Sequence, residues 1–270
     1  MPPSLELRNG VRIPILGLGT YLVDNEIAER VVLDALISGY RHIDTASFYG
    51  NERAVGAALR RSGLPREEVF VTTKVWNSDH GLEPAQEAFR RSLRLLGMDY
   101  VDLYLIHWPM PARLDTWKAL EALYEEGLCR AIGVSNFVPR HLEEIERAGL
   151  MTPMVDQVEM HPFLYRRDIL EYCQERGIQV EAFSPLARGR RLEDPRLAEV
   201  ARRSGRTPAQ VMLRWGVQKG MVVIPKSVTP SRLQENTGVF EFALSPEDMD
   251  LLDGMNENWR TTTWDPYSFP

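Results

Sequence analysis

Eight short apolar runs recur along this chain, each followed by a longer segment of helical character. They occupy residues 15–20, 41–46, 69–75, 101–107, 130–135, 154–159, 178–183 and 221–225. Between them, apolar side chains return at helical spacing. In residues 83–97, Ala85, Phe89, Leu93 and Leu96 share one face. Similar faces occur in 25–38, 117–124 and 168–176. Gly39, Gly63, Gly97, Gly127, Gly149, Gly177 and Gly220 stand shortly before new runs, where a helix end favours a left-handed residue. Thr207-Pro208 and Ser245-Pro246 place a capping hydroxyl before a proline at the first helical position. Eight strands alternating with helices predict an α/β fold, a (β/α)8 TIM barrel formed as one domain over residues 1–270. A doubly wound sheet usually has fewer strands. Ahead of the first run, Asn9-Gly10 between alternating apolar positions predicts a two-residue hairpin turn. Such a hairpin would close the bottom of the barrel.

Composition narrows the function classes. Of 270 residues, 44% are hydrophobic and 26% charged, which supports a sizeable core and excludes disorder. The net charge is -6 and no basic patch of helical period stands out, so nucleic acid is not an expected partner. No uncharged run approaches the ~18 residues of a membrane span. The start, M-P-P-S-L-E-L, lacks a basic stretch followed by an apolar one. Cys129 and Cys173 form no C-x-x-C, which fits free thiols in a reduced cytoplasmic protein. Nothing requires more than a monomer. Only four lysines occur, and two of them, Lys74 and Lys226, lie in apolar runs. In a chain that otherwise uses arginine, that placement suggests a need for a compact, titratable ammonium.

In a parallel barrel, chemistry sits where the strands end. The ends of the eight runs carry Thr20-Tyr21, Asp44, Lys74, His107-Trp108, Ser135-Asn136, Gln157 with Glu159, Phe183-Ser184 and Lys226-Ser227. Tyr49 follows Asp44, and Trp76 follows Lys74. Taken singly, each has an ordinary structural reading: a barrel ion pair, a loop aromatic, a packed indole. Their convergence on one rim favours chemistry. Asp44 and Lys74 come from neighbouring strands, and an ammonium beside Tyr49 would lower its phenol pKa from about 10. The phenol would then serve as a general acid, His107 would orient a substrate oxygen, and Trp76, Trp108 and Tyr21 would form apolar walls. This pattern suits carbonyl reduction, in which hydride reaches carbon and a proton reaches oxygen.

Competing motifs fail. Gly17-Leu18-Gly19 begins a dinucleotide fingerprint but lacks its third glycine. There is no Tyr-x-x-x-Lys, no nucleophile elbow around Ser135 and no metal-ligand spacing. Residues 224–236 place Lys226, Ser227 and Arg232 at a strand end and helix start, an anion site suited to the extra phosphate of NADPH.

Several segments now carry a resemblance. G-Y-R-H-I-D-T-A with Tyr49-Gly50-Asn51-Glu52, V-T-T-K-V-W, L-I-H-W-P, I-G-V-S-N-F, D-Q-V-E-M-H-P, F-S-P-L-A-R-G and I-P-K-S occur in order across nearly the full length. The chain resembles the aldo-keto reductases. In its trimmed loops it resembles the compact bacterial branch with 2,5-diketo-D-gluconate and methylglyoxal-type reductases. The resemblance implies a catalytic set at Asp44, Tyr49, Lys74 and His107, NADPH as reductant and a small carbonyl compound as substrate. It implies cofactor contacts from Thr20, Tyr21 and Asp44, from Ser135, Asn136 and Gln157 on the nicotinamide, and from Phe183 stacking on it. Ser184, Leu186 and Gly189 would follow the pyrophosphate. Lys226, Ser227, Val228, Arg232, Glu235 and Asn236 would hold the adenosine end. Tyr21, Tyr49, Trp76, His107 and Trp108 would meet the substrate, with no metal. Phe183 and Tyr21 depart from the family's usual Tyr and Trp. Two alternatives stay open: a nicotinamide-binding regulatory or sensor protein with little turnover, and a sugar-phosphate isomerase that needs no NADPH.

Overall fold

Residues 2–270 are described by a computed structural model. The chain opens with an antiparallel pair, β1 (Ser4–Glu6) and β2 (Arg12–Pro14). The turn is longer than the two residues expected. Leu7 and Val11 still pair, the Leu7 amide donating to Val11 at 2.8 Å, so Arg8, Asn9 and Gly10 form a three-residue loop. Gly10 has φ 83°, the left-handed residue that such loops require. Ile13 and Leu7 are buried. At the tip, Asn9 Nδ2 donates to the Arg130 carbonyl at 2.9 Å. That carbonyl lies at the start of a barrel strand, so the hairpin covers the barrel's N-terminal end.

Eight parallel strands follow: β3 (Leu18–Gly19), β4 (His42–Asp44), β5 (Phe70–Val75), β6 (Val101–Ile106), β7 (Cys129–Ser135), β8 (Val155–Glu159), β9 (Gln179–Phe183) and β10 (Val222–Ile224). Each pairs with the next in chain order. All eight predicted runs become these strands. The last and first strands close the ring through Val223 N to Ile15 O at 2.8 Å, Gly17 N to Val223 O at 2.9 Å and Gly19 N to Pro225 O at 3.1 Å. Here the two glycines of the failed dinucleotide fingerprint find their use. A Cβ on Gly17 would lie 2.7 Å from the His42 ring, and one on Gly19 would lie 2.9 Å from the Ile224 carbonyl oxygen. Side chains there would push the closing strands apart.

Helices α1 (Asn25–Ile37), α2 (Glu52–Ser62), α3 (Leu82–Leu96), α4 (Arg113–Glu125), α5 (Pro139–Arg147) and α6 (Arg167–Glu175) follow the first six barrel strands. Then α7 (Pro195–Ser204) and α8 (Pro208–Gln218) precede β10, with α9 (Pro230–Thr237) and α10 (Pro246–Asp253) after it. The predicted caps form: Thr207 accepts from the Gln210 amide while Gln210 reaches back, and Ser245 accepts from the Asp248 amide. The predicted face of α3 buries Ala85, Phe89 and Leu96 against the barrel. No helix among the described residues is long and apolar enough to cross a membrane. Cys129 and Cys173 are free and buried.

One buried group works against the fold. Asp156 on β8 is fully buried, and neither carboxylate oxygen has a hydrogen-bond partner. Burial pushes its pKa far above the ordinary carboxylate range, with the nearby Phe137 backbone opposing. The folded value exceeds the unfolded one. Any stability linked to this proton is therefore present below about pH 4 and lost as pH rises. Asp156→Asn removes that linkage. In urea unfolding, stability of the variant relative to the native chain will improve from about pH 4 to pH 7, by up to about 1.4 kcal/mol per pH unit. A pH-independent difference would show that Asp156 does not titrate with folding.

Candidate functional site

The C-terminal ends of the strands converge on a buried ion pair. Asp44 ends β4 in register with Thr72 of β5, and Lys74, two residues further along β5, reaches it with its long side chain. Lys74 is fully buried. Its Nζ donates to Asp44 Oδ1 and Oδ2 at 2.7 and 2.8 Å and to the Thr45 carbonyl at 2.9 Å. The Tyr49 hydroxyl is a fourth oxygen around the ammonium, at 3.3 Å. Gln157, on β8 across the barrel, reaches over the interior and donates from Nε2 to Asp44 Oδ2 at 2.8 Å. Burial is the largest single influence and would lower the Lys74 pKa, but Asp44, Tyr49 and Glu181 together outweigh it and hold the ammonium above its usual value. Burial raises the Asp44 carboxyl, with Lys74 and Gln157 pulling it back.

Tyr49 ends a single helical turn, Ser47–Tyr49, on the loop after β4. The expected lowering of its phenol pKa does not occur. Desolvation by the surrounding walls pushes it up to about 12; the Lys74 charge opposes this without overcoming it, and Asp44 adds to the rise. The ligand-free protein thus holds this proton firmly. His107 follows β6, with its ring centroid 5.6 Å from that of Tyr49. Burial first, and then the Lys74 charge, lower its pKa well below normal. It is a neutral imidazole at physiological pH.

An open cleft of about 1090 Å3 runs outward from Tyr49. Asp44, Tyr21, Ser135, Asn136, Gln157 and Phe183 border it beside Tyr49 and His107. So do Ser184, Leu186 and Gly189, and then Lys226, Ser227, Val228, Arg232, Glu235 and Asn236. Thr20 does not border the cleft. Its hydroxyl is buried, donating to the Asp44 carbonyl at 2.9 Å, and its own carbonyl accepts from Asn51 at 3.0 Å. Thr20 therefore braces the strand end instead of lining the pocket. Asn136, at φ 62°, donates to the His107 carbonyl and to Ser135 Oγ, both at 3.0 Å. These bonds tie the ends of β6 and β7 together.

The outer wall is aromatic. Phe48 stacks on Trp76 with centroids 3.8 Å apart, and Trp264 packs edge-on against Trp108 at 5.2 Å. Trp264 belongs to the C-terminal tail, which is tied to the barrel. Glu159 accepts from the Thr261 amide at 2.6 Å and from the Thr262 hydroxyl at 3.0 Å. Burial would raise the Glu159 carboxyl, but hydrogen bonds from His161 and Thr261 hold it at about 2. Further along, Arg140 donates to the carbonyls of Tyr267 and Phe269.

Sequence reading missed Phe48, Arg188 and Glu181. Arg188 borders the cleft 5.5 Å above the Tyr21 ring and takes a left-handed backbone, as Ser184 and Ala187 do. Non-glycine residues there store strain, which often marks a functional loop. Glu181 did carry a signal, an acid inside the apolar run 178–183.

The profile described as "Aldo/keto reductase family" matches residues 15–257. This chain belongs to the aldo/keto reductase family. Among its relatives, the 9,11-endoperoxide prostaglandin H2 reductase of Trypanosoma cruzi is 51% identical, over 94% of this chain and 92% of that protein. The glyoxal reductase of Bacillus subtilis is 48% identical, over 96% of each. A solved aldo-keto reductase from a Medee basin deep-sea metagenome library superimposes with a TM-score of 0.94, at 44% identity, over 97% of this chain and 98% of the other. As in other members of this oxidoreductase family, the fold is a (β/α)8 barrel, and the bacterial relatives fit the compact branch.

The ion pair sets a stability test. Asp44→Asn leaves an ammonium buried without its counter-charge, which costs about 3–5 kcal/mol. The double variant Asp44→Asn with Lys74→Met removes both charges and will recover most of that loss in chemical denaturation. A double variant no more stable than Asp44→Asn would mean that the pair is not the source of the loss.

Proposed function

We propose that this protein reduces aldehydes and ketones to alcohols with NADPH, α-dicarbonyl and sugar-derived compounds included. One observation carries the reading. The Tyr49 hydroxyl lies at the floor of the cleft with the Lys74 ammonium 3.3 Å behind it and Asp44 behind that. A phenol so placed can give up a proton only if something compensates the charge left behind. The family's use of nicotinamide cofactors and the glyoxal reductase relative support the same reading.

The residues bordering the cleft fit the cofactor. Gln157 commits its amide nitrogen to Asp44 and Glu181, so its carbonyl oxygen is the group left to accept from a carboxamide. Phe183 offers a flat face among these polar groups. At the far end, the exposed cations Lys226 and Arg232 suit a phosphate on the adenosine side. A reduced nicotinamide bound here would supply hydride to the carbonyl carbon.

Everything else falls to the chain. Tyr49 Oη gives its proton to the carbonyl oxygen as negative charge builds there. Its high pKa keeps the phenol loaded at neutral pH until that oxygen becomes the stronger base. Lys74 then stabilises the phenolate. Neutral His107 offers a ring N–H to the same oxygen and adds no competing positive charge. Trp76, Trp108, Trp264 and Phe48 keep water from the reacting carbon.

Tyr49→Phe will lower kcat with an aldehyde by about 10²–10⁴-fold while NADPH affinity, read by fluorescence, stays within about twofold. Undiminished turnover would sink the mechanism. The double variant Lys226→Glu with Arg232→Glu tests cofactor choice. It will weaken NADPH binding by roughly 10–100-fold and leave NADH binding nearly unchanged, the effect of about 1.5–3 kcal/mol of lost charged hydrogen bonding. Equal losses for both cofactors would place the phosphate elsewhere.

A further inference from the structure

The barrel interior holds one carboxyl group that the proposed reaction leaves without a task. Glu181 on β9 is fully buried and stands in register with Gln157 on β8. Gln157 Nε2 donates to Glu181 Oε2 at 2.9 Å and to Asp44 Oδ2 at 2.8 Å. One amide therefore bridges two carboxyl groups and uses both of its protons. From β4, His42 Nε2 lies 3.5 Å from Glu181 Oε1, and from β5 the Thr72 hydroxyl lies 3.2 Å from that nitrogen. Lys74 and Asp44 complete the charged surroundings. On the other flank, β10 presents only Val222, Val223 and Ile224.

The charges in this dry interior do not balance if both acids ionise. Lys74 is one ammonium facing two carboxyls. His42 supplies no second cation, since burial lowers its pKa to about 3. Asp44 makes the direct ion pair, so the neutral partner has to be Glu181.

We propose that Glu181 is a positioning residue: held as the neutral acid, it fixes the amide orientation of Gln157 and leaves Asp44 as the only carboxylate paired with Lys74. The proposal rests on the carbonyl-reduction reading for its effect on rate, though not for the protonation itself. Burial first, and then the charge of Asp44, push the Glu181 carboxyl up to about 8, with Gln157 and Lys74 opposing. Above that pH a second negative charge enters the barrel. It offsets the Lys74 charge and adds a negative field like that of Asp44, so the proton affinity of Tyr49 rises as well. The reverse reaction, alcohol oxidation, needs the Tyr49 phenolate, so this charge slows it.

Glu181→Gln keeps the shape and the acceptor but cannot ionise. Below about pH 7, where the native residue is neutral as well, both proteins will reduce an aldehyde at rates within about twofold. Above about pH 9, the variant will oxidise the alcohol about three- to tenfold faster, equivalent to a change in the Tyr49 pKa of about half a unit to one unit. A rate ratio constant across pH would overturn the proposal. Glu181→Leu removes the acceptor as well, so NADPH will bind about tenfold more weakly, and Glu181→Gln will restore it. Equal affinity for the two variants would refute the positioning role. An infrared difference spectrum, native minus Glu181→Gln, reads the proton without turnover. A carboxylic-acid carbonyl band at pH 6.5 that fades above about pH 9 is expected, and its absence at pH 6.5 would overturn the assignment. If the native protein turned over no carbonyl at all, the reduction reading would fall, and the spectrum would still decide the state of Glu181.

Discussion

The ion pair of Asp44 and Lys74 is the constraint on which the rest of the barrel mouth depends. An ammonium with no access to water is tolerable only when its protons find oxygen. Lys74 has three protons and four oxygens within 3.3 Å, two from Asp44 and one each from Thr45 and Tyr49. Asp44 anchors the ammonium to the neighbouring strand. The Thr45 carbonyl draws in the chain just beyond that strand, and the short helical turn that follows brings Tyr49 over the same nitrogen. Gln157 then fastens the arrangement to the opposite side of the barrel. The site is thus a by-product of solving a solvation problem, and its geometry is as rigid as the strands that impose that problem.

In the proposed reduction, this arrangement would separate two jobs of the phenol. In the ligand-free protein, desolvation dominates and the proton stays on oxygen. In the proposed reaction, a developing phenolate would face the ammonium across a short gap in a medium where charges are poorly screened. The same low-polarity surroundings that hold back the proton would strengthen the attraction that stabilises its loss. His107 follows the same logic. Kept neutral, it can donate a hydrogen bond without drawing negative charge away from Lys74.

Much of this was legible in the sequence because the barrel repeats a simple pattern. Eight apolar runs gave eight strands, and Thr207 and Ser245 capped the helices expected of them. The rim residues could be found because strand ends are positions, and positions can be counted. What escaped depends on depth. The distance of Tyr49 from Lys74 follows from neighbouring strands, but the balance between desolvation and Coulomb attraction depends on how closely Phe48, Trp76 and Tyr21 crowd it, and loops set that. Thr20 illustrates the same limit. It stands one residue from Tyr21, yet its side chain turns into the protein to hold Asn51 and the Asp44 carbonyl. Glu181 and Asp156 are both acids in apolar strands. Only the fold shows that one faces the barrel axis with a partner and the other faces the helices without one. The hairpin loop is one residue longer than Asn-Gly alone predicts, because that pair suits either turn, and the pairing of Leu7 with Val11 decides between them.

The walls of the cleft differ in kind from its floor. Trp264 comes from a tail that contributes no strand to the barrel and is fastened to it mainly through Glu159 and Arg140. Phe48 and Trp76 lie on loops beyond the strand ends. Replacing any of these rings alters the shape of the cavity without breaking the ladder of hydrogen bonds that closes the barrel or the ion pair buried inside it. The same replacement changes how dry the Tyr49 hydroxyl is. Wall and proton are therefore coupled: a ring exchanged to admit a new ligand also retunes how tightly the phenol holds its hydrogen.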